Sequence, residues 1–128
     1  MRVLKTKTFA RWARKERIDD LLLAAAVTEM RRGMVDANLG GGRLKKRIAR
    51  AGAGKSGGYR ILVASDQRER RVFIYGFAKK DRDNIDDDEL DDLKRVGQAY
   101  LGMNEQAILR VLASGELQEI DYGEPQTS

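Results

Sequence analysis

Arg43-Leu44-Lys45-Lys46-Arg47-Ile48-Ala49-Arg50, Ala51-Gly52-Ala53-Gly54-Lys55-Ser56-Gly57-Gly58 and Tyr59-Arg60-Ile61-Leu62-Val63-Ala64-Ser65 form the stretch around which the chain is organised. Residues 43–60 hold seven cations, four glycines and no acid. Arg43 to Arg50 reads as a strand, with Lys45 and Arg47 on one face and Lys46 and Ile48 on the other, because side chains alternate along a strand. The glycines make 51–58 a loop rather than an element interior. Tyr59 to Ser65 is strand material again. A polar turn at Asp66-Gln67-Arg68-Glu69 leads to a third strand, Arg71 to Ala78, rich in β-formers. Short connections make an antiparallel meander the economical topology. Cations held by a glycine-rich loop on such a framework suit a polyanion, with a phosphate backbone as the leading partner.

Outward from this centre, Arg2 to Lys7 reads as a short edge strand. Thr8 is placed to cap a helix carrying Phe9, Trp12 and Ala13 on one face. Asp19 or Asp20 caps a second helix through Leu21, Leu22, Ala25, Ala26 and Met30, ended by Gly33. Together these predict a helical hairpin. Asp36 to Gly42 reads as a loop. On the other side, Asp86 to Glu89 has capping-box spacing, and Leu90, Leu93, Val96, Tyr100 and Leu101 mark a buried stripe up to Gly102. Asn104 caps another helix through Ala107, Ile108, Val111 and Leu112 to Gly115. The last residues, including Pro125, are expected to fray. The fold class expected is α+β: an N-terminal helical hairpin on a small antiparallel sheet, with C-terminal helices. No repeat or linker divides residues 1–128.

At 128 residues the chain has the size of one domain with one core. With 41% hydrophobic and 35% charged residues, the balance is that of a globular domain with a heavily charged surface. Cysteine is absent, which excludes disulfides and thiolate metal sites and fits a reducing compartment. Histidine is absent too, which removes the usual general base and the commonest metal ligand. Any catalysis must run on Lys, Arg, Tyr, Ser or carboxylates. The longest apolar run, Leu21 to Val27, is too short to span a bilayer. No apolar h-region with a small-residue cleavage site follows the N-terminus, so a cytoplasmic location is expected. Charge is uneven. Residues 1–82 carry 22 Lys/Arg against 8 Asp/Glu, a net of +14, whereas residues 83–128 carry 3 against 12, a net of −9. The basic body can bind nucleic acid by releasing counterions. The acidic third either folds against basic surface or forms a solvated helix face.

Gly54-Lys55-Ser56 invites a P-loop reading, but position 49 is Ala where that motif needs Gly, and the preceding strand is cationic. Lys45, Arg47, Lys55, Arg60, Lys79 and Lys80 are the more informative set. In an antiparallel meander the start of the second strand neighbours the end of the third, which brings Arg60 toward Lys79 and Lys80. Crowded cations lower the pKa of a lysine among them and make it usable as a general base. The competing reading, a solvated basic face, is disfavoured because so many cations without one compensating acid serve solubility poorly. Asp86, Asp87, Asp88, Asp91 and Asp92 lack EF-hand spacing and read as helix-capping charges; no metal site is expected. Trp12 reads as core, while Tyr59 and Tyr75 are either base-stacking or half-buried strand residues.

The blocks Leu39-Gly40-Gly41-Gly42, Lys45-Lys46-Arg47-Ile48, Gly54-Lys55-Ser56-Gly57-Gly58-Tyr59-Arg60 and Tyr75-Gly76-Phe77-Ala78-Lys79-Lys80 resemble the RelE/HigB-like toxins of type II toxin–antitoxin systems. Asp83-Asn84-Ile85 before an acidic helix is similar to the HigB-like branch. The resemblance spans roughly residues 1–102 and leaves 103–128 as a C-terminal extension. It implies a helical hairpin on a curved antiparallel sheet and an endoribonuclease that cuts mRNA in the ribosomal decoding site with no cofactor. By the same resemblance Lys45 and Arg47 are the basic strand positions, Arg60 clamps the phosphate, and Lys79 and Lys80 are the basic pair after the last strand, with Lys80 the candidate acid or electrostatic clamp; Arg47, Lys46, Lys55, Lys79 and Tyr75 are the candidate RNA-binding residues. Some relatives place a Tyr a few residues past the basic pair; here Ile85 and Asp86 stand there, which leaves Lys45 as the candidate base. The implied partners are mRNA on the ribosome and a cognate antitoxin, often a helix-turn-helix DNA-binding protein. Two other readings stay open at this point: a ParE-like gyrase-inhibiting toxin, and a non-catalytic RNA-binding module.

Overall fold

The computed structural model describes residues 2–35, 37–40, 43–50, 54–66, 70–82 and 84–122, with positions 37, 39, 43–50 and 54–57 placed by their backbone. The elements run β1 (Arg2–Thr6), α1 (Lys7–Lys15), α2 (Asp20–Arg31), β2 (Ala37–Gly40), β3 (Arg43–Arg50), β4 (Gly54–Ser65), β5 (Arg70–Ala78), α3 (Asp87–Leu101), α4 (Glu105–Ser114) and β6 (Leu117–Glu119). Every residue of β5 but Tyr75 is buried. A strand that reads as a continuous apolar run rather than an alternating one is covered on both faces. The layers follow from that. One core joins Phe9 and Ala13 of α1, and Leu23, Val27 and Met30 of α2, to Ile61, Val63 and Phe73 beneath them. The other joins Leu4, Val72 and Ile74 to Ile108 of α4, with Leu93 and Tyr100 of α3 packed against it. α1 seats on β5 and β1, α2 on β3, and α3 on β4 and β5.

The six-stranded sheet has the order β2-β3-β4-β5-β1-β6. β3, β4 and β5 form the expected antiparallel meander. The sheet as a whole is mixed, not antiparallel, because β1 runs parallel to β5, with Leu4 opposite Val72. Parallel neighbours need a crossover, and everything from α1 to β4 lies between these two strands. β1 is also not an edge: β6 pairs antiparallel with it on its outer side. The expected loop over 36–42 contains β2, which pairs with β3. The expected loop over 51–58 is shorter, since β4 already begins at Gly54; positions 51–53, 67–69 and 123–128 lie outside the described residues.

Caps set the helix bounds. Thr6, not Thr8, caps α1, its Oγ1 accepting from Phe9 N at 3.0 Å. Asp19 caps α2 through Leu22 N at 3.0 Å, and Asn104 caps α4 through Ala107 N at 2.8 Å. At Asp86 the side chain makes no capping bond to α3. α4 ends at Gly115, whose φ of 84° suits a residue without Cβ.

Part of the acidic third does fold against basic surface. Arg2 pairs with Glu105 and Glu119. Arg70, buried at the start of β5, closes the end of α3: its Nη1 donates to the carbonyls of Tyr100 at 2.7 Å and Met103 at 2.8 Å. A cation over the last carbonyls of a helix satisfies acceptors the helix cannot, and complements its dipole. Arg70→Met, which keeps the stem and orphans those carbonyls, is expected to lower stability by about 2–3 kcal/mol. Urea unfolding should show a lower midpoint at unchanged slope. Among the described residues no helix is long and apolar enough to cross a membrane.

Candidate functional site

The face of the sheet turned toward α3 collects the groups of interest. Register places Arg60 of β4 opposite Phe77 of β5, and Leu62 opposite Tyr75. Residues directly opposite share a face, so Arg60, Leu62, Tyr75 and Phe77 form one patch. The Tyr75 and Phe77 rings lie 6.0 Å apart. Past Ala78 the chain turns tightly, the amides of Asp81 and Arg82 donating to the Ala78 carbonyl at 2.9 and 3.3 Å. This turn returns Arg82 over the patch. Its guanidinium carbon sits 5.6 Å from the Phe77 ring centroid, and its Nη1 donates to the Tyr75 hydroxyl at 3.1 Å.

Glu89, in the first turn of α3, takes the Arg82 guanidinium in a two-pronged grip: Nη1 to Oε2 at 3.0 Å and Nη2 to Oε1 at 2.6 Å. Planar fork-to-fork pairing of this kind fixes orientation as well as energy. Hydrogen bonding from Arg82 is the main cause that holds the Glu89 carboxyl below the usual carboxylate range. Reciprocally, Glu89 keeps Arg82 more firmly protonated. Near neutral pH both groups are therefore charged.

Arg60 is different. It is only 9% exposed, and its Nη1 is enclosed with no hydrogen-bond partner. An enclosed guanidinium nitrogen without an acceptor is costly. Arg60 shares this patch with Arg82, which lies over the ring of Phe77, the residue opposite Arg60.

The other expected site residues fall as follows. Arg47 stands opposite Arg60 in the β3–β4 register, so Arg47, Arg60 and Phe77 make one row across three strands. Lys45 stands opposite Leu62, in the row that ends at Tyr75. Lys46 stands opposite Ile61, whose side chain belongs to the core under α1 and α2. Lys55 lies at the start of β4, next to Gly54, the partner of Arg50. Lys79 follows β5, half-buried, its amide donating to the Gly58 carbonyl at 3.1 Å. That puts its backbone beside the residue two before Arg60. Lys80 is exposed on the turn. Tyr75 is held by Arg82 and packs against the α3-side core.

Arg82 escapes sequence reading because it stands between Asp81 and Asp83 and looks neutralised. The signal that finds it is the aromatic pair Tyr75 and Phe77, which alternate onto one face just before a tight turn.

A protein-family model described as the RelE toxin of the RelE/RelB toxin–antitoxin system matches residues 1–120. The chain belongs to the RelE toxin family. The match runs past residue 102, through α4 and β6, so these elements lie inside the RelE region. No curated protein matches the chain. Membership makes it a toxin of a toxin–antitoxin system, with a cognate antitoxin as partner.

Proposed function

We propose that this RelE-family toxin is a ribosome-dependent mRNA endonuclease that works without a metal, in the cytoplasm where mRNA is translated. The observation that carries this is the buried Arg60 guanidinium, with Nη1 unpartnered, on the same patch as Arg82. Two guanidiniums on one patch can hold the two non-bridging oxygens of a phosphodiester.

In the proposed reaction the substrate's 2′-oxygen attacks the adjacent phosphorus. The bond to the 5′-oxygen breaks, leaving a 2′,3′-cyclic phosphate and a 5′-hydroxyl. A base takes the 2′ proton, an acid gives one to the departing 5′-oxygen, and cations stabilise the crowded phosphorane. Arg60 and Arg82 are assigned to the phosphate. Lys45, in the row of Leu62 and Tyr75, is assigned as base, and Lys80 as acid or clamp. Arg47, Lys46, Lys55, Lys79 and Tyr75 are assigned to the RNA strand, with Tyr75 also holding Arg82. The antitoxin is proposed to be a helix-turn-helix DNA-binding protein.

The test is to map transcript 5′ ends after induced expression. Codon-phased cuts bearing 5′-hydroxyls are expected. Growth arrest with DNA breaks and no such cuts would instead mark a gyrase poison. Binding to ribosomes without any cut would mark a non-catalytic RNA-binding module.

A further inference from the structure

The edge of Arg82 that would grip a phosphate is filled by protein. Nε donates to the Asn84 carbonyl at 2.9 Å. Nη1 donates to the Tyr75 hydroxyl at 3.1 Å and to Glu89 Oε2 at 3.0 Å, and Nη2 donates to Glu89 Oε1 at 2.6 Å. A guanidinium carries five N–H groups, so these four bonds leave one, on Nη2, without a partner among the described residues. The Nη1–Nη2 fork, the edge that takes two oxygens at once, is occupied by the Glu89 carboxylate.

Glu89 is not needed to aim Arg82. The Tyr75 hydroxyl, the Asn84 carbonyl and the Phe77 ring hold the guanidinium without it. Both members of the ion pair are half-buried, so Glu89 has water to swing into, and a pair this accessible contributes little net stability. While it is in place, it cancels the charge of Arg82. Withdrawn, it leaves two uncompensated guanidiniums on the patch, since Arg60 Nη1 has no partner either.

We propose that Glu89 is a gate on the RNA-facing patch: in the free toxin its carboxylate fills the fork of Arg82, and a phosphate of the message displaces it. The gate takes its ligand from the nuclease reading and adds how the site is kept shut until RNA arrives. A carboxylate and the two non-bridging oxygens of a phosphodiester offer a planar fork the same pair of acceptors, so the exchange asks no reorientation of Arg82. The phosphate wins because Arg60, whose Nη1 makes no bond to Glu89, gives it a second guanidinium.

The test compares the full-length parent with Glu89→Gln, Arg82→Met, the two combined, and Asp88→Asn, an exposed acid of the same turn of α3. The probe is a ten-nucleotide RNA with every 2′-hydroxyl methylated, so that binding is read without cleavage. Glu89→Gln is expected to bind about fivefold tighter, the size of one surface ion pair. Its salt dependence should steepen by up to about 0.7, the slope for one phosphate contact on a single strand. Arg82→Met should bind more weakly, and adding Glu89→Gln to it should restore nothing. Asp88→Asn should bind like the parent. Unchanged affinity in Glu89→Gln overturns the gate and makes the pair structural. Weaker affinity overturns it and makes Glu89 a positioning residue for Arg82. A gain that Asp88→Asn reproduces, or that survives without Arg82, overturns it in favour of general repulsion by the acidic turn, and no binding by any of the proteins overturns it as well. Tighter binding by Glu89→Gln from a parent that never cuts mRNA keeps the gate and removes the nuclease; codon-phased cuts by the parent with no gain in Glu89→Gln do the reverse.

Discussion

Arg60→Met should abolish mRNA cleavage and growth arrest while leaving the fold about as stable as the parent. The two halves have one cause. The Met side chain keeps the unbranched stem that fills the space in β4 and removes an enclosed charge whose Nη1 has no partner. Unfolding stability should thus change by less than about 1 kcal/mol, in either direction. In the proposed mechanism activity loses a charge aimed at the transition state, an effect of about 10²–10³-fold for one such donor. Arg60→Lys should rescue little, because an ammonium cannot present the planar fork that grips two phosphate oxygens. Reconstituted translation with a reporter mRNA gives the rates, and urea titration gives the stability. A variant that cuts like the parent removes Arg60 from the chemistry; one that fails to fold makes it structural.

Gly76→Ala should be among the most destabilising single-methyl additions in the chain. A Cβ at Gly76 would lie 2.6 Å from Cη2 and 2.7 Å from Cε3 of Trp12. Trp12 has little room to retreat: it lies edge-on to Tyr59 with centroids 5.5 Å apart, and 5.6 Å from Phe9. A clash against a packed ring system rather than a flexible tip falls at or above the upper end of overpacking costs, about 3 kcal/mol. Activity should fall as well, since Gly76 lies between Tyr75 and Phe77. Trp12 is the sole tryptophan, so its emission reports the displacement directly. Pairing Gly76→Ala with Trp12→Leu should recover part of the loss, because the two changes share one contact. If Gly76→Ala unfolds at the parental midpoint with unchanged emission, the close approach is not a constraint.

Much of this was legible from residue chemistry. Asp19, Asn104, Gly102 and Gly115 mark helix ends by capping and chain reversal, and β3, β5, α3 and α4 lie within a residue or two of the expected positions. What escaped was set by tertiary pairing. β2 reads Ala-Asn-Leu-Gly and β6 reads Leu-Gln-Glu, segments of four and three residues with weak β preference that become strands because an open edge accepts them. The parallel docking of β1 on β5 leaves no local trace. Thr6 outcompetes Thr8 as a cap because β1 delivers Thr6 directly to the helix start, with the Lys7 amide held by the Glu116 carbonyl at 2.9 Å. In the site, the cationic strand and Arg60 were visible as charge density. Arg82 and Glu89 were not, since their pairing depends on a turn that folds back on itself.

In the proposed mechanism Arg60 and Arg82 hold the same phosphodiester. The direct measurement is a cryo-electron microscopy structure of the toxin on a ribosome programmed with mRNA whose 2′-hydroxyl is methylated in the decoding site, so that the strand binds uncut. The expected density puts one phosphate within hydrogen-bonding distance of both guanidiniums, about 3 Å, with the α3-side patch facing the message. Density with the message bound and that patch turned away from it, or with neither arginine at a phosphate, contradicts the claim.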